Sequence, residues 1–157
     1  AARAAATPPR NLVLFNRLFE PDVDIETEKH IRPPNLSGVN DSRLPLRYAG
    51  LLYGTGRASL CCSGGISTAE HVVKMLLAGA DAVQVVSVLH RYGLSHIPKI
   101  LKGLESWMAS KGYSSLADFR GKLSEKNVVG DPWAYTRAQY VKLQMNPERI
   151  VDNMPVI

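Results

Sequence analysis

Three short apolar runs, each ended by a polar or glycine-rich break, constrain this chain more than any other feature. Leu12-Val13-Leu14-Phe15 stops at Asn16-Arg17, and Ala58-Ser59-Leu60-Cys61-Cys62 stops at Ser63-Gly64-Gly65. The third, Asp81-Ala82-Val83-Gln84-Val85-Val86, opens into Ser87 and a turn around Gly93. All three have strand length, and the unbroken hydrophobicity of the first suits a parallel sheet covered on both faces. Helical patterns lie between and after them. Residues 44–53 carry Pro45 in a first turn and are closed by Gly54 and Gly56. A second helix follows a Ser67 or Thr68 cap, with Glu70 in its first turn and Gly79 near its end. From Ser95 a longer helix sets Ile97, Leu101, Leu104 and Met108 on one apolar face and ends at Lys111-Gly112. Two short helices are predicted near 115–120 and 132–145.

A long connection, roughly 18–41, separates the first strand from the first helix. It carries Pro21, Pro33, Pro34 and Gly38, and connections of that length inside a compact domain tend to be functional loops. Strand, loop, helix, strand, helix, strand, helix is the order of an α/β protein built from parallel βα units with right-handed crossovers.

Composition excludes several classes. With 45% apolar and 21% charged residues, the chain is neither disordered nor collagen-like. Its net charge of +5 is spread along the chain, an excess of two positive charges before residue 60 and three after it. No basic block or arm results, so nucleic acid is not expected as a partner. The longest apolar stretch, Val72 to Leu89, is interrupted by Lys74, Asp81 and Gln84, and no membrane span is predicted. Cys61 and Cys62 are adjacent, which makes neither a disulfide framework nor a spaced set of metal ligands and suits a reducing compartment. The opening Ala1-Ala2-Arg3-Ala4-Ala5-Ala6 is arginine-bearing and acid-poor like a transit peptide, but reads first as the edge of a fragment.

The strand ends hold the chemistry. Ser63-Gly64-Gly65 lies between a strand and a helix, where bare N–H groups and the positive end of a helix can meet an anion. Val86-Ser87 ends the next strand, and neighbouring parallel strands bring both ends to one sheet edge. In (β/α)8 barrels that edge, after the seventh and eighth strands, is a recurring phosphate site. A mechanical alternative stands beside it: Gly64-Gly65 makes a tight turn and Ser87 caps a helix. Asn16 ends the first strand on the same edge. Its amide donates and accepts at once, which suits a planar heterocycle, or else it forms an Asx turn.

The remaining candidates are weaker. Cys61 and Cys62 lie in a buried strand and read as inert packing, one turned to each face. His30, His71, His90 and His96 show no ligand spacing, although His90 follows a strand end closely enough to approach the anion site. Asp22, Asp24, Glu26 and Glu28 alternate as an exposed edge or solvated loop does. No metal site and no nucleophile–base pair is predicted.

Taken together, these segments resemble the C-terminal part of the dihydroorotate dehydrogenase family, over about Leu12 to Leu123. The resemblance is carried by Leu14-Phe15-Asn16-Arg17, by Cys62-Ser63-Gly64-Gly65-Ile66-Ser67-Thr68 and by Leu76-Leu77-Ala78-Gly79-Ala80-Asp81. It continues through Ser87-Val88-Leu89-His90-Arg91-Tyr92-Gly93. It is most specific in the stretch from Met108 to Gly121, with its Lys111-Gly112-Tyr113 and Phe119-Arg120-Gly121. The tail Asp131-Pro132, Tyr135, Arg137-Ala138 and Tyr140 is similar to a bacterial dihydroorotate dehydrogenase-like subgroup.

The resemblance implies FMN across the mouth of a (β/α)8 barrel and oxidation of dihydroorotate or a similar small molecule, in pyrimidine biosynthesis. Ser63, Gly64, Gly65, Val86 and Ser87 would cradle the FMN phosphate, and Asn16 would face the flavin or the substrate ring. Val86 stands where many family members have glycine. The family's general base and its flavin-side lysine would lie upstream of Ala1, so no catalytic residue is expected here and these 157 residues alone should not turn over. A cytoplasmic location and a homodimer are further expectations of the family. Another phosphate-binding barrel enzyme, or a non-catalytic scaffold, are the alternative readings.

Length then takes on a different meaning. A complete barrel takes eight strands and about 250 residues, and three βα units cannot close one. The fold expected is the C-terminal portion of a (β/α)8 barrel, about strands 6–8, over residues 1–123, followed by a helical tail over 124–157. Its first and last strands would carry unpaired edges, and the missing N-terminal part of the barrel would be the natural partner.

Overall fold

The computed structural model describes residues 10–16, 21–32, 36–56, 58–129 and Tyr135. Strand β1 (Asn11–Leu14) is followed by a hairpin of β2 (Asp22–Asp24) and β3 (Lys29–Ile31). A 3-10 turn (Val39–Ser42) leads into α1 (Arg43–Leu52), then β4 (Ser59–Ser63), α2 (Ala69–Ala78) and β5 (Ala82–Gln84). Helices α3 (Ser87–Tyr92) and α4 (His96–Lys111) and a 3-10 turn (Leu116–Asp118) complete the order.

The main sheet runs β1-β4-β5 with both pairings parallel, as the alternation of strands and helices requires. Register aligns Leu14 with Cys62 and Cys62 with Val83, and, on the opposite face, Val13 with Cys61 and Cys61 with Ala82. Leu14, Cys62 and Val83 turn toward the helices. There α1 and α2 pack on the strands, α4 packs on α2, and Ile66, Met75, Leu76, Ile100 and Phe119 join Cys62 in one core.

Among the described residues the other face is open. Val13 is 49% exposed, and Ala82 and Gln84 are exposed as well. Among the described residues no element crosses to the Val13–Cys61–Ala82 side.

Other local corrections follow from packing. The connection over 18–41 contains the β2–β3 hairpin, whose turn is closed by Asp24 Oδ1 accepting from the N–H groups of Glu26 and Thr27. Residues 85–92 turn early: β5 stops at Gln84 and the short helix α3 begins at Ser87, ahead of Gly93. On α4 the core-facing line runs through Ile100, Leu104, Trp107 and Met108, while Ile97 and Leu101 stay exposed. The stripe keeps Leu104 and Met108 and is rotated by about 45° from the predicted one, roughly half the 100° between successive helical residues. Thr68 is the residue that caps α2, accepting from the His71 N–H, and Gly79 closes it. The helix predicted over 132–145 lies outside the described residues, Tyr135 excepted.

The family-like stretch at 108–121 has a mechanical explanation. Phe119 is 1% exposed and packs edge-on against Trp107 and face-on against Tyr113, with centroids 5.0 and 5.2 Å away. Arg120 pairs with Asp81 at 2.8 Å, and Asp81 also accepts from the Leu60 N–H at 2.8 Å. The N–H groups of Gly121 and Leu123 bond to the carbonyls of Leu76 and Leu77 in the last turn of α2, where Leu76 also accepts from the capping Gly79 N–H. Gly121 has φ +72, and a Cβ there would lie 2.3 Å from the Tyr53 ring, so the ring itself demands glycine. The segment is a bolt across the end of the sheet opposite the candidate site.

Candidate functional site

Parallel strands end together, and the C-terminal ends of β1, β4 and β5 enclose a cavity of about 210 Å³. Asn16, Ser63, Gly64, Gly65, Val86 and Ser87 all line it, so the six residues named from sequence converge on one place. Phe15, Ser37, Ile66 and Gln84 line it as well.

The two glycines serve different purposes. Gly64 (φ +101) needs glycine for its backbone conformation, and a Cβ there would meet only the Asp41 carbonyl at 3.6 Å. Gly65 (φ +67) is needed for space too: a Cβ would fall 2.5 Å from the Gly38 oxygen and 2.6 Å from the Ser42 nitrogen. The loop after β4 therefore backs directly onto the 3-10 turn before α1. Neither N–H of Gly64 and Gly65 has an acceptor among the described residues, and the same holds for Ser87. These are the bare donors an anion requires. The helix terminus itself is not adjacent, because Ile66, Ser67 and Thr68 intervene and Thr68 caps α2.

Ser37 is one of four lining residues that sequence reasoning did not name for the site. Its N–H donates to Ser87 Oγ at 2.9 Å, the two hydroxyls lie 2.9 Å apart, and Arg91 Nη1 donates to the Ser37 carbonyl at 3.0 Å. One hydroxyl proton is used between the two serines. The other has no acceptor among the described residues, so the pair offers one O–H beside the cavity. No local pattern could have joined residues fifty apart, although Leu36-Ser37-Gly38 marked a small-residue turn before α1. Gln84 did leave a signal, an amide in an otherwise apolar strand. Val86, 62% exposed, places its isopropyl group at the rim.

The other candidates lie elsewhere. His90 is exposed on α3 and does not line the cavity. Asp22 and Asp24 belong to β2, Glu26 and Glu28 to the hairpin turn. The Thr27 side chain, then the Thr27 and Glu26 backbone, hold Asp24 below its ordinary carboxylate value. Among the described residues no group of three His, Cys, Asp or Glu is placed to hold a metal ion.

Cys62 is fully buried on the helix face and Cys61 half-buried on the open one. Burial, then the neighbouring Cys61, pushes the Cys62 thiol up to about 12, and burial raises Cys61. Both stay protonated at neutral pH, which disqualifies them as ready nucleophiles or bases. A disulfide reagent is expected to modify Cys61 slowly in the native protein and Cys62 only on unfolding. Two fast thiols in the native protein would contradict this burial.

The architecture, parallel βα units with a polar cavity at the strand ends, defines the chain as a portion of a (β/α)8 barrel. The crystal structure of ligand-free DHODH from Eimeria tenella superposes with a TM-score of 0.56 at 20% identity, covering 71% of this chain and 32% of that one. The family model for dihydroorotate dehydrogenase matches residues 11–108, and the chain belongs to that family. A protein of Aeropyrum pernix assigned as dihydroorotate dehydrogenase A (fumarate) is 30% identical over 124 residues, 77% of this chain and 40% of that protein. Dihydroorotate dehydrogenase A (fumarate) of Lactococcus lactis is 36% identical over 94 residues, 60% of this chain and 28% of the relative. The chain thus spans well under half the length of these relatives. No helix among the described residues is long and apolar enough to cross a membrane.

Proposed function

We propose that this chain supplies the phosphate end of an FMN site in an oxidoreductase that oxidises dihydroorotate, or a closely similar ring, at a CH–CH bond. The supporting observation is the convergence of six strand-end residues on one cavity with unpaired N–H and O–H donors, in a chain of this family. The donor set is uncharged and short-reaching, which fits a phosphate group held by backbone amides. Val86 crowds the rim but keeps its amide, so it weakens the fit without abolishing it. FMN, when bound, supplies the two-electron acceptor.

What this chain contributes is binding and orientation. Ser63, Gly64, Gly65 and Ser87 would hold the phosphate side, Ser37 would fix Ser87, and the Asn16 amide would meet a planar ring. None of the described residues that line the cavity carries a basic or acidic side chain to take the substrate proton, so in this reading turnover draws on groups from outside that lining. The pyrimidine role, a cytoplasmic location, pairing into a homodimer, and the division at residue 123 belong to the same reading.

The test is spectroscopic. Purified full-length protein is expected to carry visible flavin absorbance, or to acquire it on addition of FMN, and to release FMN on unfolding. A colourless protein that leaves added FMN fluorescence unquenched would overturn the assignment.

A further inference from the structure

We propose that His71 and His96 are positioning residues that hold the loop after β4 in its cavity-lining shape by gripping Ser67 from two sides. The inference rests on the anion-cradle reading above and extends it to side chains outside the cavity. A loop containing two glycines at positive φ, with neither N–H bonded, has little order of its own. It is anchored at one end by Ser63 in the β4–β5 ladder. Ile66 buries its side chain in the core, and the polar anchor beyond it is Ser67.

The Ser67 N–H points at His71 Nδ1, 3.3 Å away, and a backbone N–H can only donate. His71 Nδ1 is therefore an acceptor and its proton sits on Nε2. The hydroxyls of Ser67 and Thr68 also approach Nδ1, at 3.3 and 3.2 Å. On the other side, the Ser67 carbonyl lies 2.9 Å from His96 Nε2, which must donate. Both backbone polar groups of one residue are thus held by imidazoles from different elements, α2 and α4. The His96 ring also stacks on Tyr92 at 5.1 Å and 26°, and Tyr92 belongs to α3, the helix that begins at Ser87. His96 therefore sets the loop after β4 against the element after β5, the two halves of the cradle.

Substitution separates hydrogen bonding from ring packing. His71→Asn retains an acceptor near the Nδ1 position and His96→Gln a donor near Nε2, whereas Phe at either site keeps a ring and loses the bond. His71 and His96 are both only part-buried, so a phenyl ring is accommodated. In the full-length protein, each Phe variant is expected to weaken FMN binding about three- to tenfold, and each amide variant to stay within about twofold of wild type. Exchange of the Ser67 amide, the bonded N–H of this loop, measured without ligand, is expected to accelerate in the Phe variants and not in the amide variants. Unchanged exchange in the Phe variants overturns the proposal whatever the flavin does, as does an amide variant that loses as much as its Phe counterpart. If wild type fails to bind FMN, the functional reading falls and exchange alone decides the role of the histidines.

Discussion

Gly65→Ala is expected to destabilise the protein and to remove FMN binding, with a larger effect than Gly64→Ala. At both positions a side chain is strained by positive φ, at about 1–3 kcal/mol. Only at Gly65 does the new Cβ also collide with backbone, the Gly38 carbonyl oxygen at 2.5 Å and the Ser42 nitrogen at 2.6 Å. Backbone cannot rotate away like a side-chain tip, so the 3-10 turn before α1 must move, adding about 1–3 kcal/mol of overpacking. That movement shifts Ser37, which is held to Ser87 across the cavity. Urea unfolding and a flavin titration on the two variants check both parts. A Gly64→Ala protein as unstable as the Gly65→Ala protein would show that conformation, and not close packing, decides this loop.

Phe119→Ala is expected to be the most damaging single truncation, at about 3–5 kcal/mol. Domain stabilities are about 5–15 kcal/mol in total, so much of the protein would unfold at moderate temperature. The ring is enclosed by Trp107 and Tyr113 and belongs to the core that contains Met75 and Cys62. Deleting it leaves a cavity between α2, α4 and the turn that closes the C-terminal end of α2. Thermal unfolding followed by tryptophan fluorescence measures the loss, and Phe119→Leu, which keeps most of the volume, should lose clearly less. A loss below about 1 kcal/mol for the alanine variant would mean that the site collapses freely and that the bolt is not structural.

Much of the fold was legible in the sequence. Leu12–Phe15, Ala58–Cys62 and Asp81–Val86 show as strands because each is a short, mostly apolar run ended by a polar or glycine break, and Pro45, Thr68, Gly79 and Gly112 mark helix ends because caps depend on a few neighbouring residues. The hairpin over Asp22–Ile31 was less visible, since its strands are three residues long and strongly charged. Helix α3 was hidden for a related reason, as six residues give too little periodicity to detect. The face of α4 was misjudged because Ile97, Ile100, Leu101 and Leu104 are all apolar, and only packing against α2 selects among them.

Sequence alone determined the class of fold, the family resemblance and the six positions at the strand ends, because strand period, caps and parallel order are local properties. Tertiary structure alone decided which groups complete the cavity and hold it. Ser37 meets Ser87, Gly65 backs onto Gly38 and Ser42, His71 and His96 close on Ser67, and Tyr53 fills the space left by Gly79 and Gly121. Most of these contacts join residues that lie far apart along the chain. Where such residues meet depends on the path of the backbone between them, which no local pattern encodes.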